Sequence, residues 1–371
     1  MQNEDEIVII GGGLAGLIAG IHLQKNGLQV RIIEQNKYPK HKVCGEYISN
    51  EVLPYLTNLG LDIQSLKPKK IDFLLFSLVS GKSIQTKLPL GGFGISRYQL
   101  DNYLFEHATR IGCIFCFETV QNIDFDNDIF KIATHNNYYH AKLVLGAFGK
   151  RSNIDINLKR TFIQKKSNWL GVKAHYKLDF DDDLVGLHHF NGGYCGVSKI
   201  ENNNVNICYL ANYKSFKKCK SIDDFQESIV CQNPFLKSIL QKAVLQFDKP
   251  LSISQISFDK KNAVENHILM IGDSAGLIHP LCGNGMAMAI HSAKLACESC
   301  IDYIKNHQNR NVLENEYVKN WNTNFKRRLQ IGRLIAKLIQ NGKWGKFLLQ
   351  LVLLLPFLLP IIIKKTHGKP I

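Results

Sequence analysis

IVIIGGGLAGLIAGIHLQKNGLQVRIIE, residues 7–34, decides the fold. Ile7–Ile10 form a short apolar run of strand type, and Gly11-Gly12-Gly13-Leu14-Ala15-Gly16 follows without a spacer. The next eleven residues have helical spacing, with Leu17, Ile21 and Leu23 on one face and Gly27 closing the helix. A second strand then runs to Glu34. Each part has a physical task. Gly11 allows a tight turn, Gly13 lets the backbone approach a pyrophosphate, and Gly16 lets helix and strand pack closely. The helix start offers free N–H groups and a positive dipole end to phosphate. Glu34 supplies an acceptor pair for ribose hydroxyls. The stretch predicts a strand–loop–helix–strand unit that holds the ADP half of a dinucleotide.

A second glycine-rich stretch lies some 260 residues on. HILMI (267–271) leads into Gly272-Asp273-Ser274-Ala275-Gly276, then Leu277 to Met286, then the helical AMAIHSAKLACESCIDYI (287–304). A buried strand ending in Gly-Asp sets a carboxylate beside the first glycine loop. A second helix N-terminus there can stabilise negative charge on a reduced ring. The two motifs together resemble the FAD-dependent superfamily of aromatic-ring monooxygenases, geranylgeranyl reductases and flavin-dependent halogenases. The resemblance implies that Asp273 binds the ribityl chain, and that Pro280, Gly283, Asn284, Gly285 and Met286 line the isoalloxazine. KYPKHKVCGEYIS (37–49) is similar to the family segment that runs beside the flavin. GISRYQLDNYLFEHA (94–108) is similar to the family's Arg-x-x-Leu-Asp helix, which brings Arg97 to the cofactor. ETVQNI (118–123) is similar to the strand that meets the adenine, at Val120. Expected FAD contacts are therefore Gly11, Gly13, Leu14, Ala15, Gly16, Glu34, Gln35, Lys42, Arg97, Val120 and Gly272, besides those of the second loop. Cys44, Glu46 and His279 are the catalytic candidates. One departure stands out: Ala147-Phe148-Gly149 occupies a stretch where many monooxygenases carry Asp-Gly. NAD(P)H is the expected electron donor, and that departure leaves its direct use open.

The implied fold class is α/β, a Rossmann-like FAD-binding domain with an inserted antiparallel β-sheet substrate domain and a helical, hydrophobic C-terminal tail. FAD binding is assigned to 1–70, 91–165 and 262–300. The substrate domain is assigned to 71–90 and 166–261, where WLGVKAHYKLDF, LVGLHHFNGGYCGVSKI and NVNICYLANY alternate as strands. His188 and His189 fall on opposite faces of one strand. Trp169 stands alone in NWLGVKAH, without the Trp-x-Trp-x-Ile-Pro stretch of halogenases.

Residues 301–371 form the expected membrane-associating region. FLLQLVLLLPFLLPIII (347–363) has lysines on both sides, but its length is marginal for a spanning helix, and Pro356 and Pro360 interrupt the hydrogen-bond ladder. Insertion into one leaflet and capping of the substrate pocket are equal alternatives. NTNFKRRLQIGRLIAKLIQNGKWGKF (322–347) reads as a basic amphipathic helix suited to anionic lipid. The whole chain of 371 residues carries 46 Lys+Arg against 31 Asp+Glu, a net +15. That excess suits an anionic membrane surface or a phosphorylated substrate; nucleic acid is not expected. MQNEDE at the start lacks the positive residues of a signal peptide, so a cytoplasmic, peripherally membrane-bound protein with reduced thiols is expected. Cys113 and Cys116 lie in a strand-type stretch with their side chains on opposite faces, Cys297 and Cys300 have no other ligand pair, and no metal is expected.

The expected reaction is hydroxylation of a hydrophobic aromatic or polyketide-like lipid through a C4a-hydroperoxyflavin. Cys44-Gly45 is similar to the reductase branch and keeps open C=C reduction of an isoprenoid lipid, as in geranylgeranyl reductases. A non-catalytic lipid-binding flavoprotein is the third reading.

Overall fold

The computed structural model describes residues 5–279, 283–340, 350–351, 353–355 and 357–371. The opening unit folds as its pattern predicts: β1 (Asp5–Ile10), helix α1 (Leu14–Lys25) and β2 (Val30–Ile33). Ile7, Val8 and Ile9 are fully buried, which is why the strand reads as an unbroken apolar run rather than an alternating one. β1 lies between β2 and β9 (Tyr138–Gly146), parallel to both. β6 (Ile114–Cys116) extends the sheet in parallel beyond β2, and β14 (Ile268–Met270) does so beyond β9. The strands β7 (Val120–Asp126) and β8 (Ile129–Thr134) form a hairpin attached to β9.

A second sheet is built from β3 (Tyr47–Ser49), β4 (Lys69–Ser77), β5 (Ser83–Gly94), β10 (Trp169–Lys177), β11 (Leu184–Phe190), β12 (Gly193–Lys199) and β13 (Asn204–Asn212), with short strands flanking β10. Its antiparallel character is incomplete, which corrects the sequence expectation: β11 pairs with β4 in parallel. Hairpins force antiparallel neighbours, but no hairpin joins these two. The chain leaves β5 at Gly94, passes through the first sheet and returns at Trp169, 75 residues later. β3 and the last residues of β5 pair with one another, so the chain passes from the first sheet to the second directly after β2.

Helix α2 (Arg97–Arg110) follows β5. Helix α3 (Pro234–Lys242) packs below the second sheet, with Leu236 buried. Helix α4 (Gly285–Lys305) packs on α1, and its Cys297 thiol reaches the Ala19 carbonyl at 3.5 Å. Helix α5 (Arg310–Trp321) buries Tyr317, whose hydroxyl donates to the Met270 carbonyl. A π-turn over Asn322–Lys326 leads to α6 (Arg327–Gln340). Phe325 and Leu329 lie in the main core, so the start of this basic stretch faces protein. Helix α7 (Leu358–Thr366) sets Leu359 and Ile363 against Ile71, Leu74, Phe76 and Leu88 of the second sheet, while Leu354, Phe357 and Ile361 are exposed. Residues 341–349, 352 and 356 of the tail lie outside the described residues. Among the described residues, no helix is long and apolar enough to cross a membrane.

Candidate active site

At the glycine loop, three glycines have three different reasons to lack a side chain. Gly11 adopts φ +105°, and a Cβ there would overlap the Ala147 carbonyl. A Cβ on Gly16 would overlap the Gly11 carbonyl. Gly13 is different, because it faces open space. The atoms nearest to its missing Cβ are Arg97 Nη2 and Lys42 Nζ, both at 3.8 Å. A bare backbone edge under two cations, at the first turn of α1, is a cradle for an anion. Leu14 and Ala15, in that first turn, are buried.

The two cations are held there by Asp101, which is 1% exposed. Arg97 donates to both Asp101 oxygens at 2.7 Å, and Lys42 Nζ lies 3.2 Å from Oδ2. Burial alone would raise the Asp101 carboxyl, but the charges of Arg97 and Lys42 hold it below the usual carboxylate range. Glu34 accepts from the Gly12 N–H at 2.8 Å and from the Asn36 N–H at 3.0 Å. Its carboxylate sits in a shallow cleft with Asn36, Tyr38 and Lys42. Gln35 is exposed beside it, and Val120 is buried at the start of β7.

Farther along, the Cys44-Gly45-Glu46 loop is clamped from several sides. Asn206 Nδ2 donates to the Cys44 and Gly45 carbonyls at 3.2 and 2.9 Å, and Lys150 Nζ donates to the Val43 carbonyl at 3.1 Å. Nothing lies within 4 Å of a Cβ built on Gly45. Glu46 is completely buried at φ +54°. Its Oε1 accepts from Lys173 Nζ at 2.6 Å and from the Arg97 N–H at 2.8 Å, and its Oε2 lies 2.7 Å from His175 Nε2. Burial would push this carboxyl up; the His175 hydrogen bond and the Lys173 charge outweigh it and keep Glu46 ionised. With both oxygens engaged, Glu46 positions the loop and the start of α2.

The second glycine loop is also tied from outside. Gly272, at φ +60°, donates to Ser292 Oγ at 2.7 Å. Lys261 Nζ donates to the Asp273 and Lys150 carbonyls at 2.8 and 2.9 Å, and burial lowers this ammonium to about 8. Arg160 spans Asp155 and the Ser274 carbonyl. The Gly149 N–H donates to Ser274 Oγ, so the Ala147-Phe148-Gly149 segment is bonded to the Gly-Asp loop. His279 is 2% exposed within an aromatic box, its ring 4.6 Å from Phe258, 5.6 Å from Trp169 and 5.8 Å from Tyr194. Neither ring nitrogen has a partner among the described residues, and burial lowers the imidazole to about 4, so it is neutral at pH 7. Gly283, Asn284, Gly285 and Met286 open α4, whereas Pro280 lies outside the described residues. His188 is buried against Ser77 Oγ at 2.8 Å, on the opposite face from His189.

Asp101, Lys173, His175, Asn206, Lys261 and Arg160 were absent from the candidates read in the sequence. Asp101 had a signal, as the last residue of the Arg-x-x-Leu-Asp motif. Lys173 had a fainter one, a charged residue on the apolar side of a strand.

The chain matches the family described as FAD binding domain over residues 4–319. It is 22% identical to a digeranylgeranylglycerophospholipid reductase of Methanococcus aeolicus, over 92% of this chain and 88% of that protein. It is 23% identical to conditioned medium factor receptor 1 of Dictyostelium discoideum over 78% of this chain, but spans only 62% of that protein's length. Among solved structures, the flavin-dependent brominase Bmp2 superposes with a TM-score of 0.78 at 18% identity, covering 98% of this chain and 93% of that one.

Proposed function

The chain belongs to the FAD binding domain family and is an FAD-dependent oxidoreductase, and from that premise we propose that it reduces C=C bonds of an isoprenoid lipid. The observation that carries this reading is the clamped Cys44-Gly45-Glu46 loop, in a chain aligned almost end to end with a digeranylgeranylglycerophospholipid reductase. The brominase likeness concerns the fold alone.

The residues present fit FAD. The backbone edge at Gly13, under Arg97 and Lys42, would take the pyrophosphate, and Glu34 would take the ribose. Asp273 would hold the ribityl chain, and Gly283 to Met286 with Cys44 and Gly45 would border the ring. When bound and reduced, FAD supplies the two electrons as hydride. The protein keeps Arg97 and Glu46 charged and fixed beside the Cys44-Gly45 loop. A matching proton must reach the other carbon of the C=C bond, and Cys44 and His279 are the nominated groups within the site.

An anaerobic experiment tests the reading. Enzyme photoreduced without oxygen is mixed with geranylgeraniol, and the flavin spectrum and product mass are followed. The expected result is reoxidation of the flavin with gain of one H2 per double bond. Reoxidation only on admitting oxygen, with gain of one oxygen atom in the product, would replace reduction with the hydroxylation expected from the sequence. A protein that takes up no FAD would overturn both reactions.

A further inference from the structure

A cavity of about 240 Å³ lies between β5 and the C-terminal segment. Leu88, Leu90 and Tyr47 form one wall, Ile363 of α7 forms the other, and Lys364 and Lys369 stand at the rim. The cavity is smaller than the ~300–1,000 Å³ that encloses a whole drug-sized ligand. It fits one segment of an apolar chain.

Three observations connect this cavity to the site. The Tyr47 ring lies between it and the second glycine loop, at 3.8 Å from a Cβ built on Gly283, while its hydroxyl donates to the Gly91 carbonyl at 3.3 Å. The wall made by the C-terminus is fixed, not loosely apposed. Buried Glu51 accepts from the Gly368 N–H at 2.7 Å and from Asn284 Nδ2 at 3.2 Å, and its carbonyl accepts from the Ile371 N–H at 3.0 Å. Asn284 Nδ2 also reaches the Thr366 carbonyl at 3.3 Å. Asn284 immediately precedes α4, so the residue that ends the glycine loop also carries the end of the chain. Finally, the rim is cationic in a protein of net charge +15, and both lysines are exposed. An apolar slot with ammonium groups at its mouth is complementary to an amphiphile with an anionic head.

We propose that Leu358–Ile371 completes the substrate site by walling a slot for an apolar chain, that Lys364 and Lys369 hold the anionic head of the same molecule, and that Tyr47 separates the slot from the flavin loop. The slot deepens the lipid-reductase reading and rests on it for the identity of the chain. The occupant is an anionic amphiphile, and free phosphate is the control.

The test is calorimetric titration of the full-length, FAD-loaded protein with octyl phosphate, octan-1-ol and inorganic phosphate. Octyl phosphate is expected to bind at least about 10-fold more tightly than octan-1-ol, with no binding of inorganic phosphate. Lys364→Ala with Lys369→Ala is expected to abolish that preference, and Leu88→Trp, which fills the slot, to abolish binding of both alkyl probes. Should Leu88→Trp fail to fold, the exposed lysine pair decides the matter alone. Octyl phosphate binding unchanged in the lysine variant, or inorganic phosphate binding as well as octyl phosphate, would overturn the proposal. Octyl phosphate has no double bond, so this result stands apart from the outcome of the anaerobic reduction.

Discussion

The two ends of the site are built in opposite ways. At the dinucleotide end, the groups around Gly13 come from residues 11–42 and the first turns of α2, and the geometry follows from a turn, a helix start and one buried aspartate. At the ring end, the groups come from 43–51, 147–150, 173–206, 261–286 and the last residues of the chain. The first end relies on backbone that cannot accept a side chain, and the second on buried charge that cannot lose its partner. Their failure modes should differ accordingly.

The largest effect on cofactor content is expected at the dinucleotide end. Gly16→Val forces a branched side chain into the Gly11 carbonyl, with the Ala147 methyl close beside it. A destabilisation of about 3 kcal/mol or more is expected, and a colourless protein. Flavin absorbance per chain and thermal unfolding check it. A yellow, stable variant would mean that the loop is not held by this close approach.

At the ring end, Glu46→Gln strands the buried Lys173 ammonium, and removal of one partner from a buried pair costs about 3–5 kcal/mol. Combining Glu46→Leu with Lys173→Met should recover most of that loss, as a double-mutant cycle in urea would show. The pH dependence has a defined sign. Because the folded Glu46 carboxyl lies below its unfolded value of 4.5, its contribution is complete above about pH 4.5 and is lost as pH falls through the lower folded value. The wild type should therefore weaken in acid more steeply than Glu46→Gln.

The smallest effect belongs to a partly exposed cation. Lys42→Ala leaves Arg97 on Asp101, so FAD affinity should fall only about fivefold, or ~1 kcal/mol, and less at high salt. A loss as large as that of Gly16→Val would move the anchoring of the phosphates from backbone to side chains.

Legibility followed the same division. The order β1, α1, β2 and the roles of Gly11 and Gly16 were readable because each depends on neighbours within a few residues, and Gly-Asp at 272–273 was readable because a strand end and a helix start bracket it. Cys44 and Glu46 could be nominated from their segment, but the ionisation of Glu46 depends on Lys173 and His175, nearly 130 residues away on β10. A wholly antiparallel second sheet was expected from the run of alternating strands around two hairpin turns. The parallel β4–β11 pairing depends on where a long excursion re-enters, which no local pattern records.

The sequence by itself determined the cofactor class, because glycine spacing, strand hydrophobicity and an acid at the strand end act through local backbone geometry. Only the tertiary structure decided what the charged residues do. Lys173 on a strand and Glu46 in a loop are each costly to bury alone, and their meeting converts two penalties into one fixed clamp. The same holds for the described end of the greasy tail. Apolar composition leaves lipid and protein as equal partners, and contact with β4 and β5, with Glu51 bonded to the terminal backbone, places Leu359 and Ile363 against the protein.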